Sequence, residues 1–380
     1  MAPVAIVFAV LAHGTASDVG YVLAAETTPL VVFLLVGGVI ADRMNRRKLM
    51  LRADALRAAA QGVLGIWILF GRPPLWAFMV LSVLLGIGHA FFNPAFTGMI
   101  PQLLGSERLQ QGNALSGIAS SSGRIVGPAI AGLIVATSNP GWAVLIDGFT
   151  YLVSVLSLTL VHIDWTSSES SESFLPLLRQ GWSEFWSRTW LWAVVLEFSM
   201  VNALFGSFLV LGPVIAKESL GGARAWGLIM AGEGVGAVLG GVLMLRMHPR
   251  RPLLIATLAT LAFPLPLFFI ALRAPALVVS VVALLAGLFV TVFSVLWSTT
   301  VQREIPLELL SRVSAYDWFG SLVLLPISMA VMGPLSAVIG VTTTLVGSAV
   351  LMMLLTLVVL LFPSVVQLRA TGSRSITSSP

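Results

Sequence analysis

Six ionisable side chains stand where such groups are costly to place: Glu26, His89, Arg124, Asp147, Glu197 and Glu233 each lie inside a long apolar run. At the centre of a hydrocarbon layer a charged side chain costs at least about 2.5–3.5 kcal/mol, so each of them is a candidate for function. A carboxylate that alternates between apolar surroundings and a neighbouring guanidinium would take up and release a proton. Arg124 and Glu233 lie nearest the middle of their runs. A lone buried guanidinium is hard to sustain, so Arg124 calls for a carboxylate partner, with Glu26, Asp147 and Glu233 as the options. Glu233 is the expected proton-coupling acid, and a permanent structural ion pair is the rival reading.

These side chains must be carried by membrane helices. Of the 380 residues 57% are hydrophobic and only 10% charged, against about 25% charged in a soluble domain, and the mean hydropathy is +0.98. A span needs about 20 apolar residues. The first half offers 1–12 (too short), 19–41, 51–70, 75–99, 113–137 and 141–161, and the second 190–215, 225–245, 253–272, 275–300, 313–338 and 341–362. The runs are continuous rather than alternating, which excludes a strand barrel.

Other chemistries find no support in the residues. Cysteine is absent, which excludes disulfides, Cys-ligated zinc, iron–sulfur clusters and thiol nucleophiles. Histidines 13, 89, 162 and 248 share no metal-ligand spacing, and no nucleophile elbow or phosphate loop is present. "GEGVGA" within Gly232, Gly236 and Gly240 mimics a dinucleotide fingerprint but sits inside an apolar span, where close helix packing is the better reading. The pI near 10.4 reflects short basic clusters between apolar runs, which suit membrane orientation rather than nucleic acid. The start "MAPVAIVFAVLAHG" lacks a basic n-region and cleavage site, and reads as the end of a membrane helix.

Sixteen Lys and Arg fall in connections on one side and four on the other, with Arg124 inside a span. The richer side, which includes the 37–48 loop "GGVIADRMNRRK", the linker and the C-terminus, is expected to be cytoplasmic. Residues 162–189 form a linker between bundles 1–161 and 190–362, and 363–380 a disordered tail. From Phe174 the linker repeats apolar residues at helical spacing (Phe174, Leu178, Trp182, Phe185, Trp186), predicting an amphipathic helix at the interface. A partner-binding helix is the alternative.

The halves echo each other. "GGVIADRMNRRK" at 37–48 aligns with "GGVLMLRMHPRR" at 240–251, Gly37 falling on Gly240 and Asp42 on Leu245, an offset of 203. "LLGIGHAFFNP" (84–94) lies over "LLAGLFVTVFSV" (284–295), and "VGPAIAGLI" (126–134) over "MGPLSAVIG" (332–340). Three echoes in one order imply two homologous six-helix halves. On this register the first helix is expected to lack about thirteen residues at its start.

The pattern G-x-x-x-D-R-x-x-R-R-K at Gly38, Asp42, Arg43, Arg46, Arg47 and Lys48 resembles the signature loop of the major facilitator superfamily. "GRIVGPAIAG" (123–132) is similar to the Gly-Pro motif of its exporter branch. "LLRQGWSEFWSRTWLW" and "LIDGFTYLVS" point toward the enterobactin-exporter and macrolide-efflux type. The resemblance implies an all-α protein of two six-helix bundles rocking about a central site. It also implies proton-driven export of a small hydrophobic or amphipathic molecule from a bacterial inner membrane, by a monomer without a cofactor. Import or uniport on the same fold, or a non-transporting paralogue, are the alternatives.

In such a protein helices one, four, seven and ten line the cavity and two, five, eight and eleven form the seam. His89 and Asn93, four apart on one face, and Glu197 with Asn202 would then line the substrate cavity. Gly127-Pro128 would bend helix five as a seam hinge. The signature's usual glycine is Asn45, which suits a left-handed turn. The resemblance implicates Asp42 in a latch, meeting the N-terminus of helix eleven. Leu245 cannot do so, which predicts a latch on one bundle only.

Overall fold

The computed structural model describes residues 1–33, 45–103, 109–161, 174–247 and 249–368, and these are helical almost throughout, with no strand. The first half comprises α1 (Ala2–Leu11), α2 (Ala16–Val32), α3 (Arg46–Phe70), α4 (Leu75–Leu103), α5 (Leu109–Thr137) and α6 (Pro140–Leu160). After α7 (Phe174–Ser187) the second half comprises α8 (Thr189–Ile215), α9 (Ala223–Met244), α10 (Pro252–Ala259), α11 (Pro264–Ala271), α12 (Ala276–Glu304), α13 (Leu307–Leu322), α14 (Leu325–Ile339) and α15 (Val341–Val359). Ten stretches of the described residues are long and apolar enough to cross a membrane. Helix α1 reaches about 15 Å, half the hydrocarbon core.

Two expected spans are broken, and prolines explain both. Pro264 has no N–H for the carbonyl of Thr260, and a short 3₁₀ turn at Thr260–Ala262 separates α10 from α11. Pro326 similarly follows the break between α13 and α14.

Helix α3 starts at Arg46, five residues before the expected 51, because Asn45 caps it. Its side-chain oxygen accepts from the backbone N–H of Lys48 at 3.1 Å. At φ −61° and ψ 109° Asn45 is extended, not left-handed. The expected left-handed turn is therefore corrected: asparagine serves here as one of the best N-caps. Arg47 crosses to the end of α6, donating from Nε to the Leu158 carbonyl at 2.8 Å and from Nη2 to that of Thr159 at 2.7 Å. Terminal helix carbonyls lack partners of their own, and a cation suits that negative end. Gly38, Asp42 and Arg43 lie outside the described residues, and the latch with them.

Small residues set the closest packing. A Cβ on Gly232, Gly236 or Gly240 of α9 would overlap the carbonyls of Ser280, Leu284 or Leu288 on α12. Both rows step by four, so i±4 ridges of the two helices mesh. The halves meet along two lines. Helix α5 packs on α9, where Gly132 faces Ala223 and the Pro128 carbonyl faces Gly227. Helix α2 packs on α14, where Gly20 abuts the Met329 carbonyl and Gly333 abuts Ser17. Lys217, beyond α8, donates to the Leu11 carbonyl at the end of α1. The contacts between the halves cluster toward the ends of the helices where α1 leads into α2 and α9 begins.

Helix α7 forms where the spacing predicts it, and its Trp182 ring meets Tyr316 of α13 at 5.3 Å. It is thereby docked on the second half.

Candidate functional site

Within the first half, four helices bring ionisable groups together. Glu26 (α2) has Oε1 3.7 Å from Nδ1 of His89 (α4), whose Nε2 lies 3.3 Å from the Tyr151 hydroxyl of α6. The Arg57 guanidinium of α3 pairs with Asp54 and is clamped between Phe92 and Tyr151, its Cζ 4.4 Å from each ring centroid. Ser154 of α6 donates to Asp54 Oδ2 at 2.5 Å. Glycines admit this arrangement: a Cβ on Gly86 would strike the Glu26 carbonyl, and one on Gly88 the Arg57 stem. Asp147 of α6 accepts from Gln61 Nε2 at 3.0 Å and lies 3.3 Å from the Met1 amine.

Arg57 sits among the loop cations in a count of the sequence, and interfacial solvation or gating is the natural reading of Asp54 with Arg57 so near the basic loop. The structure corrects the solvation, since the two are 0% and 4% exposed. Asp54 is eight residues into α3, about 12 Å from its start. A signal was available: an acid and a base at i, i+3 inside an apolar run satisfy each other.

In the second half two cavities adjoin, of about 240 and 130 Å³, sharing Phe198, Asn202 and Ser294. The larger contains Asp317 and Trp318, and the smaller contains Glu233. Trp297 Nε1 donates to Asp317 Oδ2 at 2.9 Å, and Asn202 Nδ2 donates to the Ser321 carbonyl at 3.0 Å. Asp317 lies about 15 Å along α13, inside the bundle rather than at its rim.

Asn202 thus faces a cavity, but Glu197 does not. Its carboxylate is 2% exposed and accepts from Thr260 at 3.3 Å, and Thr260 in turn bonds Thr356 of α15 at 2.9 Å. The expectation that Glu197 lines the cavity together with Asn202 is corrected by helix geometry, since five residues at 3.6 per turn put them about 140° apart. His89 and Asn93 do share α4, with Asn93 exposed and His89 turned to Glu26 and Tyr151.

Arg124 is exposed, and among the described residues no ion pair joins it to Glu26, Asp147 or Glu233. The expected ion pair of Arg124 with one of these acids is therefore not formed among the described residues. Gly234, the residue after Glu233, packs on the Arg124 backbone across the α5–α9 line. Pro128 lies on that same line, its carbonyl toward Gly227, whereas a Cβ on Gly127 would face the Met1 amine.

Two bundles of membrane helices joined by a linker, with ionisable groups turned inward, define a polytopic carrier. The chain belongs to the Major Facilitator Superfamily, which residues 1–325 match. It is a multi-pass membrane transporter in the lipid bilayer, acting on a small-molecule substrate, and not an enzyme. It is 25% identical over 292 residues to Macrolide efflux protein A of Enterococcus faecalis, covering 75% of this chain and 90% of that protein. It is 25% identical over 376 residues to the Multidrug efflux pump Tap of Mycolicibacterium fortuitum, covering 95% and 91%. With the Enterobactin exporter EntS of Escherichia coli O139:H28 it shares 27% over 289 residues, covering 75% and 68%. The crystal structure of nucleoside transporter NupG superposes with a TM-score of 0.71 at 14% identity, over 94% of this chain and 96% of that one. That likeness concerns the fold alone.

Proposed function

We propose that this transporter is a proton-coupled exporter of small amphipathic organic molecules in a bacterial inner membrane, working by alternating access. The observation that carries the coupling is that Glu233 of α9 lines a cavity while its neighbour Gly234 packs on the Arg124 backbone of α5, at the line where the halves meet. An acid on one half and a guanidinium on the other change their separation whenever the halves rock. A carboxylate drawn toward the cation sheds its proton, and one withdrawn into apolar surroundings regains it. The Glu26–His89 pair within the first half is the second candidate for the coupling proton. Export is supported by relatives named for macrolide efflux, multidrug efflux and enterobactin export. One copy suffices, because both bundles come from one chain.

Inverted vesicles with a labelled macrolide test this reading. An acid lumen should drive uptake that a protonophore abolishes. Glu233→Gln should remove the gradient dependence while keeping exchange of macrolide across the membrane. Uptake indifferent to the gradient in the parent chain would point to a uniporter, and gradient-driven uptake surviving in Glu233→Gln would remove Glu233 from the mechanism.

A further inference from the structure

The larger of the two adjoining cavities holds, among aromatic rings, an acid with no counter-charge from the described residues that line it. Phe198 and Asn202 come from α8, Phe293 and Trp297 from α12, and Asp317 and Trp318 from α13. None of the described residues lining it is Lys, Arg or His. Asp317 accepts from Trp297 Nε1 at 2.9 Å and from Ser321 Oγ at 3.5 Å. These neutral donors orient the carboxylate but bring no positive charge. Phe198 and Phe293 stack with centroids 4.2 Å apart, and Phe293 and Trp297 stack at 6.1 Å. Trp318 is 59% exposed.

A carboxylate in an apolar enclosure needs a proton or a cation beside it. Aromatic faces attract cations, and quaternary ammonium groups most readily of all ligands, because their charge is spread over methyl groups that tolerate desolvation. We propose that the cavity between α8, α12 and α13 is a binding site for an organic ammonium group, with Asp317 as its counter-ion and Trp297 and Trp318 as its aromatic walls. The site deepens the transport reading by naming a substrate class. Its position next to the Glu233 cavity places the bound cation beside the proposed coupling acid.

The test is equilibrium binding to the purified full chain in detergent, with no gradient. The probes are phenyltrimethylammonium and tert-butylbenzene, two molecules of nearly one shape that differ by the charge. The parent protein should bind the cation saturably and at least tenfold more tightly than the neutral probe. Asp317→Asn should lose that preference, and Asp317→Glu should retain it. Trp318→Leu should weaken the cation severalfold and leave the neutral probe unchanged.

Equal affinity for the two probes in the parent, no saturable cation binding, or an undiminished preference in a folded Asp317→Asn protein would each overturn the site. If Asp317→Asn fails to fold, Trp318→Leu decides: an undiminished cation preference in it overturns the proposal. Binding is read without transport, so vesicles that show no export alongside intact cation binding would overturn the export reading and leave the site standing.

Discussion

Asp54 and Arg57, one turn apart on α3, pair within the first half, and the guanidinium is held between the rings of Phe92 and Tyr151. The pair ties three helices together, since Phe92 belongs to α4 while Tyr151 and the Asp54 partner Ser154 belong to α6. Membrane helices need such cross-links, because lipid supplies little force to press apolar helices together.

Removing one member of a buried pair leaves an uncompensated charge and costs about 3–5 kcal/mol. Asp54→Leu and Arg57→Met should each lower the thermal unfolding temperature in detergent markedly. The double substitution should be less damaging than the two effects added, since no orphan charge remains. Strict additivity would mean that the two side chains act independently.

Asn45 offers a sharper test of local structure. As an N-cap it should tolerate Ser, while Ala should cost about 0.5–2 kcal/mol and Gly only a few tenths. A left-handed residue would behave otherwise, with Gly stabilising and Ser harmful. Thermal unfolding of the three variants separates the two geometries.

The glycine row on α9 distinguishes contact from mere presence. Gly236→Val would drive a side chain into the Leu284 carbonyl, whereas a Cβ on Gly241 meets nothing within 4 Å. The first should cost more than the about 1–3 kcal/mol of ordinary overpacking and reduce the yield of monodisperse protein. Gly241→Ala should express normally. Equal yields for both would contradict the α9–α12 packing.

Helices and glycine contacts were legible because each is written in one stretch of chain. The step of four through Gly232, Gly236 and Gly240 announces a packing face, and the apolar runs announce spans. Where the site depends on which way a side chain points, local reading went further astray. Glu197 and Asn202 looked like neighbours, though their spacing already placed them on different faces. Arg57 was concealed by the basic cluster before it, and Trp297 is twenty residues and another helix away from Asp317. Arg124 drew attention by depth along its helix, yet depth says nothing about rotation around the axis.

Orientation rests on the Lys and Arg bias alone, and the chain's lack of cysteine makes it directly measurable. Ser138 lies exposed in the connection between α5 and α6, while Ser187 lies exposed at the end of α7, at the opposite ends of the helices. With Arg57 inside the bundle, the remaining fifteen-to-four distribution of basic residues predicts Ser187 in the cytoplasm and Ser138 outside. With single cysteines at these positions, a membrane-impermeant maleimide should label Ser138→Cys in intact cells and Ser187→Cys only after permeabilisation. The reverse pattern would place the Arg-rich loop outside and overturn the orientation read from the basic residues. Labelling of both positions in intact cells would mean dual insertion, which so strong a charge bias argues against.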